Sequence, residues 1–304
     1  MMITVTALST QGQHHTDITQ GDMMTTRFVR TAILLVVAGM FASTAFAQES
    51  YTLQYKYRAG KTYRYANLIA TASTREMMGR EVKTNADVTM TSRFLVEGAA
   101  QDGALTLVAS VDSIRVSVKS PEMDTTIVPT ELTGKRTRLV LTPLGVVKSR
   151  TVIDSVQAQA MSFGVGQRDV MKFHRLEAKP VKIGGRWSIS SADSLDMMGG
   201  TSIITTDMAY TLAGKENAKG HDCLKISYTG TSTTVGKGSM MGMEIFIEGT
   251  SKLNGAFLFD PALGIIVSEE THANNESTVA TTGQQAMTIP VSTTISSSQT
   301  LLED

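Results

Sequence analysis

Residues 139–147 read LVLTPLGVV, and residues 257–267 read FLFDPALGIIV. Each is an apolar run, a polar residue, a proline, then Leu-Gly and a second apolar run. Pro143 and Pro261 hold φ near about −65° at the start of a turn, and Gly145 and Gly264 give the chain freedom to fold back. Each stretch therefore reads as a tight β-hairpin between two buried strands.

Other landmarks recur in the same order. Gly60-Lys61-Thr62-Tyr63 is echoed by Gly185-Arg186-Trp187, and Met77-Met78-Gly79 by Met197-Met198-Gly199. Met90–Val96 is echoed by Met208–Leu212, and Leu105–Val111 by Leu224–Thr229. The spacing exceeds the roughly 20–50 residues of solenoid repeats. A duplicated half-sheet is expected, with halves of about 51–150 and 181–275.

The apolar period between landmarks is two. Tyr51, Leu53, Tyr55 and Tyr57 alternate with Thr52, Gln54, Lys56 and Arg58, which predicts a half-buried strand. Val82, Ala86, Val88, Met90, Phe94 and Val96 share one face. Leu105, Leu107, Ala109 and Val111 give way at Asp112-Ser113 to Ile114, Val116 and Val118, a slip of one residue that a β-bulge produces. Val152, Ile153, Val156 and Ala160 have helical spacing, so a helical connector is expected over about 150–177, with a second short helix around Phe173, His174 and Leu176. A last hairpin is expected over about 265–298. The fold class is mainly β: a curved antiparallel sheet, or a barrel-like one, of about twelve to fourteen strands by period counting, built from two related halves with a short helical segment between them.

Residues 31–42, TAILLVVAGMFA, follow Arg27 and Arg30 and precede Ala45-Phe46-Ala47. A basic n-region, an apolar h-region and an A-x-A site predict a signal peptide over 23–47, cleaved after Ala47. The run is shorter than the roughly 20 residues of a spanning helix. Residues 1–22 read as an upstream extension, and 48–304 as a single exported domain, periplasmic or extracellular, with no stable transmembrane anchor in the mature chain.

Only one cysteine is present, Cys223, so disulfides do not staple the fold; in a strand it reads as a buried, inert thiol. Net charge is zero, but residues 135–186 carry eleven basic and three acidic side chains while 187–304 carry five and thirteen. The basic middle is expected to neutralise the acidic C-terminal half within one fold, and an exported protein is not expected to meet nucleic acid.

Methionine is abundant, eighteen in all, and clusters at turns: Met77-Met78, Met197-Met198 and Met240-Met241. Thioethers suit Cu(I), but His174, His221 and His272 are scattered without ligand spacing, so neither a metal site nor a cofactor is expected. Methionine also adapts to varied apolar partners. The ligand-binding candidates are therefore Met77, Met78, Met197, Met198, Met240 and Met241, with Tyr55 and Tyr57. No nucleophile elbow, H-E-x-x-H helix, P-loop or Rossmann fingerprint is present, so no catalytic residue is assigned and no enzymatic activity is expected.

Three stretches carry a resemblance. YRAGKTYRY at 57–65, AKPVKIGGRW at 178–187 and FLFDPALGIIV resemble landmarks of secreted, β-rich bacterial proteins grouped as a domain of unknown function. Gly185 stands where that pattern has an acidic residue, and its first proline is missing. More distantly, a curved antiparallel sheet with a helical cap is similar to periplasmic lipoprotein carriers. The expectation is a non-enzymatic exported envelope protein that binds an apolar ligand, a lipid or a protein partner. A structural or assembly module of the envelope, or an enzyme of unknown type, are the alternatives.

Overall fold

The computed structural model describes residues 49–77, 79–155, 173–197, 200–240, 243–283 and 286–302. The two-residue period builds almost all of it. Among the described residues there are fourteen strands: β1 (Ser50–Tyr51), β2 (Thr62–Met77), β3 (Arg80–Ala99), β4 (Leu105–Ser120), β5 (Met123–Ile127), β6 (Arg136–Leu141), β7 (Val147–Val152), β8 (Val181–Lys182), β9 (Arg186–Met197), β10 (Gly200–Ala218), β11 (His221–Met240), β12 (Met243–Asp260), β13 (Ile265–Thr281) and β14 (Met287–Leu302). A single 3-10 turn, Thr130–Leu132, is the only helical element among them.

Consecutive strands pair as antiparallel hairpins because short turns leave no room for crossovers. One sheet results, in the order β7-β6-β4-β3-β2-β14-β13-β12-β11-β10-β9, with β5 on the far end of β4. The first long strand and the last meet in its middle, Arg64 opposite Leu302 and Arg75 opposite Val291. β1 and β8 form a separate two-stranded ladder. The outermost strands β7 and β9 are not paired with each other, so no closed barrel is found among the described residues.

The sheet nevertheless curls. The turn between β6 and β7 lies six strand spacings from the turn between β12 and β13, about 30 Å along a flat sheet. Yet the Tyr55 amide donates to the Pro143 carbonyl of one turn at 2.8 Å, and the next amide, Lys56, donates to the Gly264 carbonyl of the other at 3.1 Å. Adjacent residues are only about 3.8 Å apart at Cα, so both turns converge on one short segment. That segment keeps the alternation expected of it: Leu53, Tyr55 and Tyr57 are buried, while Thr52, Lys56 and Arg58 are exposed. It crosses between the turns as an extended stretch rather than as a strand of the ladder.

The phase slip is a bulge. Thr91 faces Ser113 and Ser92 faces Val111, leaving Asp112 unmatched. Asp112 meets Arg93 at 2.9 Å and Arg64 at 3.1 Å. Two further bulges lie at the base of the sheet, between Val96 and Gly98 and between Leu212 and Gly214. Beside these, Gly60 donates to Val96 and Val96 to Lys61, just as Gly184 donates to Leu212 and Leu212 to Gly185.

The helical expectation is corrected where it can be read. Val152 pairs with Thr137 as the last residue of β7, and Phe173, His174 and Leu176 lie outside any helix or strand. Their helical spacing is misleading because a chain entering a curled sheet buries side chains on several sides. Phe173 packs edge-on against Tyr55, and Leu176 donates its amide to Leu144. The rest of the expected helix, 156–172, lies outside the described residues, as do the signal peptide and the upstream extension.

Three of the basic residues in the 135–186 stretch pair locally: Arg136 with Asp154, Arg138 with Glu97, and Lys148 with Asp102, at 2.7 to 2.9 Å. Antiparallel hairpins bring near neighbours in sequence together first.

Candidate binding face

Strand register assembles the inner face in cross-strand rows. One row runs Ile114, Met90, Asn67, Gln299, Glu269, Phe257, Ile226, Leu212. Its flanks are core, and its middle three residues are polar. Below this row lies the packed aromatic base, in which Tyr57, Tyr63, Tyr65 and Phe94 stack or meet edge to face.

Above it the character changes. Three rows nearer the tips, Thr84, Ser73, Thr293, Asn275, Ser251, Ser232, Thr206 and Ser191 lie side by side across eight strands. Ile69, Val88, Ile295, Leu253 and Met208 lie between the two, with Ile247, Val279 and Val291 beyond. All of these inner positions but the buried Val88 are half-buried, whereas most of their outward neighbours are exposed. From β3 to β10, the inner positions above the Asn67 row carry no charge except Arg75 and Arg80 near the tip. The outer face of the same strands carries Glu76, Glu81, Lys83, Asp87, Asp207, Lys237, Glu244, Glu248, Lys252, Glu270 and Glu276, all exposed.

Glu269 is the charge at the floor. It is 6% exposed, and its Oε1 accepts from the Tyr228 hydroxyl at 2.7 Å and lies 2.8 Å from His174 Nε2, with Thr271 Oγ1 at 3.1 Å. His174 stacks on Phe257, and its Nδ1 lies 3.4 Å from the Tyr210 hydroxyl. Its backbone N–H donates to the Tyr55 hydroxyl, which donates in turn to the His174 carbonyl. Burial, then the Glu269 charge, pushes the Tyr210 hydroxyl up to about 12 and the Tyr228 hydroxyl higher still. Ionisation would set a second negative charge beside the first in a poorly solvated place. Asn67, 8% exposed, donates to Ser92 Oγ at 3.0 Å and to the Tyr65 carbonyl at 3.2 Å.

The sequence-derived candidates fall in two places. Tyr55 and Tyr57 are 2% and 3% exposed, enclosed in the base and stacked on one another; their hydroxyls serve other protein groups. Met77, Met197 and Met240 end β2, β9 and β11, and Met78, Met198 and Met241 lie outside the described residues. These strand ends share one end of the sheet, opposite the Pro-Leu-Gly turns. Met243 and Met287 join them there, both half-buried.

Sequence reading missed His174, Glu269 and Asn67. One signal was present: Ile265, Val267 and Glu269 share a phase, so a carboxylate occupies a core position of its strand. No signal marked His174, which arrives from a stretch without period. Among the described residues no group of three His, Cys, Asp or Glu is placed to hold a metal ion, and no helix is long and apolar enough to cross a membrane.

No family model matches the chain, and no curated protein matches it. Among solved structures it is similar to lipovitellin, from a study of lipid–protein interactions in that molecule, at 10% identity and a TM-score of 0.42. The match covers 82% of this chain and 26% of the lipovitellin chain, so the chain spans about a quarter of that protein's length. It is also similar to an exported protein with a YmcC-like fold from Bacteroides fragilis, at 8% identity and a TM-score of 0.20, over 79% of this chain and 97% of that one.

Proposed function

We propose that the protein is an exported, non-catalytic envelope protein that receives an amphipathic, lipid-like ligand on the inner face of its sheet. The observation that carries this is the partition of charge across strands β3 to β10: exposed acids and bases outside, half-buried hydroxyls and aliphatics inside. Ionised groups are costly wherever water is displaced, so a face meant to be covered omits them. Methionines at the strand ends suit the rim of such a face, since an unbranched thioether adapts to varied apolar shapes. Export rests on the basic, apolar and A-x-A segments of 23–47, just before the folded unit that begins at Glu49. The matched bulges at Val96 and Leu212 support descent of the two meanders from one duplicated half-sheet.

The reading gives the Glu269 cluster a structural role: His174, Tyr228 and Thr271 all converge on one of its oxygens, an arrangement that ties three separate segments together. The test is extraction of protein purified without detergent, followed by mass spectrometry of the lipid fraction and uptake of N-phenyl-1-naphthylamine. Stoichiometric lipid, or saturable uptake, is expected. Neither in folded protein would sink the reading.

The assembly-module reading has its own observation. On the outer face Ile203 lies opposite Val235, with Phe246 nearby, and the three are 54%, 60% and 41% exposed. Replacing Ile203 and Val235 with Lys would abolish a partner contact there while leaving lipid uptake intact.

A further inference from the structure

The middle of the Asn67 row encloses a cavity of about 30 Å³. A single water needs roughly 10–15 Å³ by this measure, so the space takes one or two heavy atoms. Asn67, Gln299, Glu269 and Thr271 line it, with Ile69 and Met90 as apolar walls. It lies at the foot of the inner face, where the polar end of a ligand lying along the strands would arrive.

Among the described residues that line the niche, Glu269 is the one ionisable side chain, and no Lys or Arg is among them. A carboxylate or phosphate here would face that carboxylate in a poorly solvated pocket, where the neighbouring His174 is already held by Glu269 at 2.8 Å. A hydroxyl or ammonium can instead donate to the carboxylate and amide oxygens.

The geometry assigns this niche as a head-group subsite for amphiphiles that end in a small hydrogen-bond donor, selecting against anionic heads. The assignment rests on the reading of the inner face given above. Its chemistry is shared by glyceryl hydroxyls and primary amines, so the probes separate them while holding the chain constant: 1-monoolein, oleylamine and oleate, each titrated below its micellar concentration at pH 8. Monoolein or oleylamine is expected to bind at least tenfold more tightly than oleate, and whichever binds tighter identifies the source. Gln299→Leu blocks the niche from a half-buried position opposite Glu269 and is expected to reduce that preference to less than threefold. Glu269→Gln, if folded by circular dichroism, should do the same by strengthening oleate. Equal binding of all three probes, or a preference unmoved in Gln299→Leu, overturns the niche and leaves the inner face as a binding surface. No binding of any probe to folded protein overturns both.

Discussion

The carbonyl of Gly264 accepts the amide of Lys56 at 3.1 Å, and this bond, with its neighbour from Tyr55 to Pro143, draws two turns far apart in the sheet onto one segment. Gly145 and Gly264 have φ of +83° and +66°. A Cβ on Gly145 would overlap the His174 carbonyl oxygen and sit 2.9 Å from the Tyr55 ring; on Gly264 it would overlap the Lys56 amide. Gly264→Ala is therefore expected to cost about 3 kcal/mol, the left-handed penalty plus a clash against backbone. Gly134 has φ of +75° with nothing near its Cβ position, so Gly134→Ala should cost only about 1–2 kcal/mol. Urea melts of the two variants, with unchanged m-values, check the difference. Equal losses would mean the clasp contributes nothing.

The bulge at Asp112 separates geometry from charge. Its ion pairs involve arginines 43% and 51% exposed, so Asp112→Asn should cost no more than about 1 kcal/mol. Deleting residue 112 should also be mild. It leaves Ile114 two positions after Val111, so Ile114 and Val116, 3% and 1% exposed, stay on the inner face and the ladder with β3 closes without the bulge. Thermal melts of both variants decide this; a loss of about 3 kcal/mol or more on deletion would show that the bulge itself is needed by the curled sheet.

The hairpins, the bulge and the buried face of 53–57 were legible because each is a local signal: Pro and Gly at fixed offsets, or a parity that holds or slips. The far halves of β11 and β12 were not. Residues 230–240, GTSTTVGKGSM, have no apolar period, and they pair only because the strands around them do. The Asn67–Gln299–Glu269 row was out of reach for a different reason. Its members come from three strands spread over the chain, and only the pairing of β14 with β2 brings them abreast.

Cys223 should be nearly inert. It is 1% exposed, and burial, then Asp260, Asp222 and Glu216, pushes the thiol up to about 11. At pH 8 about one molecule in a thousand would be thiolate, against about a quarter for an ordinary thiol. Iodoacetamide should label native protein more than a hundredfold more slowly than urea-unfolded protein. Comparable rates would mean that the base of the sheet opens readily.

The edge formed by β6 and β7 should loosen in acid. Hydrogen bonds from Arg138, Lys148 and Arg136 hold Glu97, Asp102 and Asp154 below their ordinary values of 4.5, 3.8 and 3.8. A carboxylate depressed in the folded state contributes stability that is present above its unfolded value and lost as pH falls through the folded one. All three are surface groups screened by salt, so the effect is local. Amide exchange in β6 and β7, corrected for intrinsic rates, should rise between pH 4.5 and 2.5 relative to β12 and β13, and 1 M NaCl should reduce the difference. Uniform behaviour across the sheet would rule the pairs out as edge clamps.

The strand ends offer the most direct test of where a ligand enters. β2, β9 and β11 close with Met77, Met197 and Met240, and β12 and β14 open with Met243 and Met287. Hairpin ends normally carry polar residues because they meet water, so a run of thioethers along one end needs a reason. Packing alone is a poor one: the enclosed base lies at the other end of these strands, and Met243 and Met287 are only half-buried. Met243→Ser with Met287→Ser should therefore lower stability by less than about 1 kcal/mol, as should the set Met77, Met78, Met197 and Met198 to Ser. If the rim guides an amphiphile onto the inner face, uptake of N-phenyl-1-naphthylamine should fall at least fivefold in either variant while the urea midpoint holds. Unchanged uptake would place the entrance elsewhere. A large fall in the midpoint would instead make these methionines part of the core.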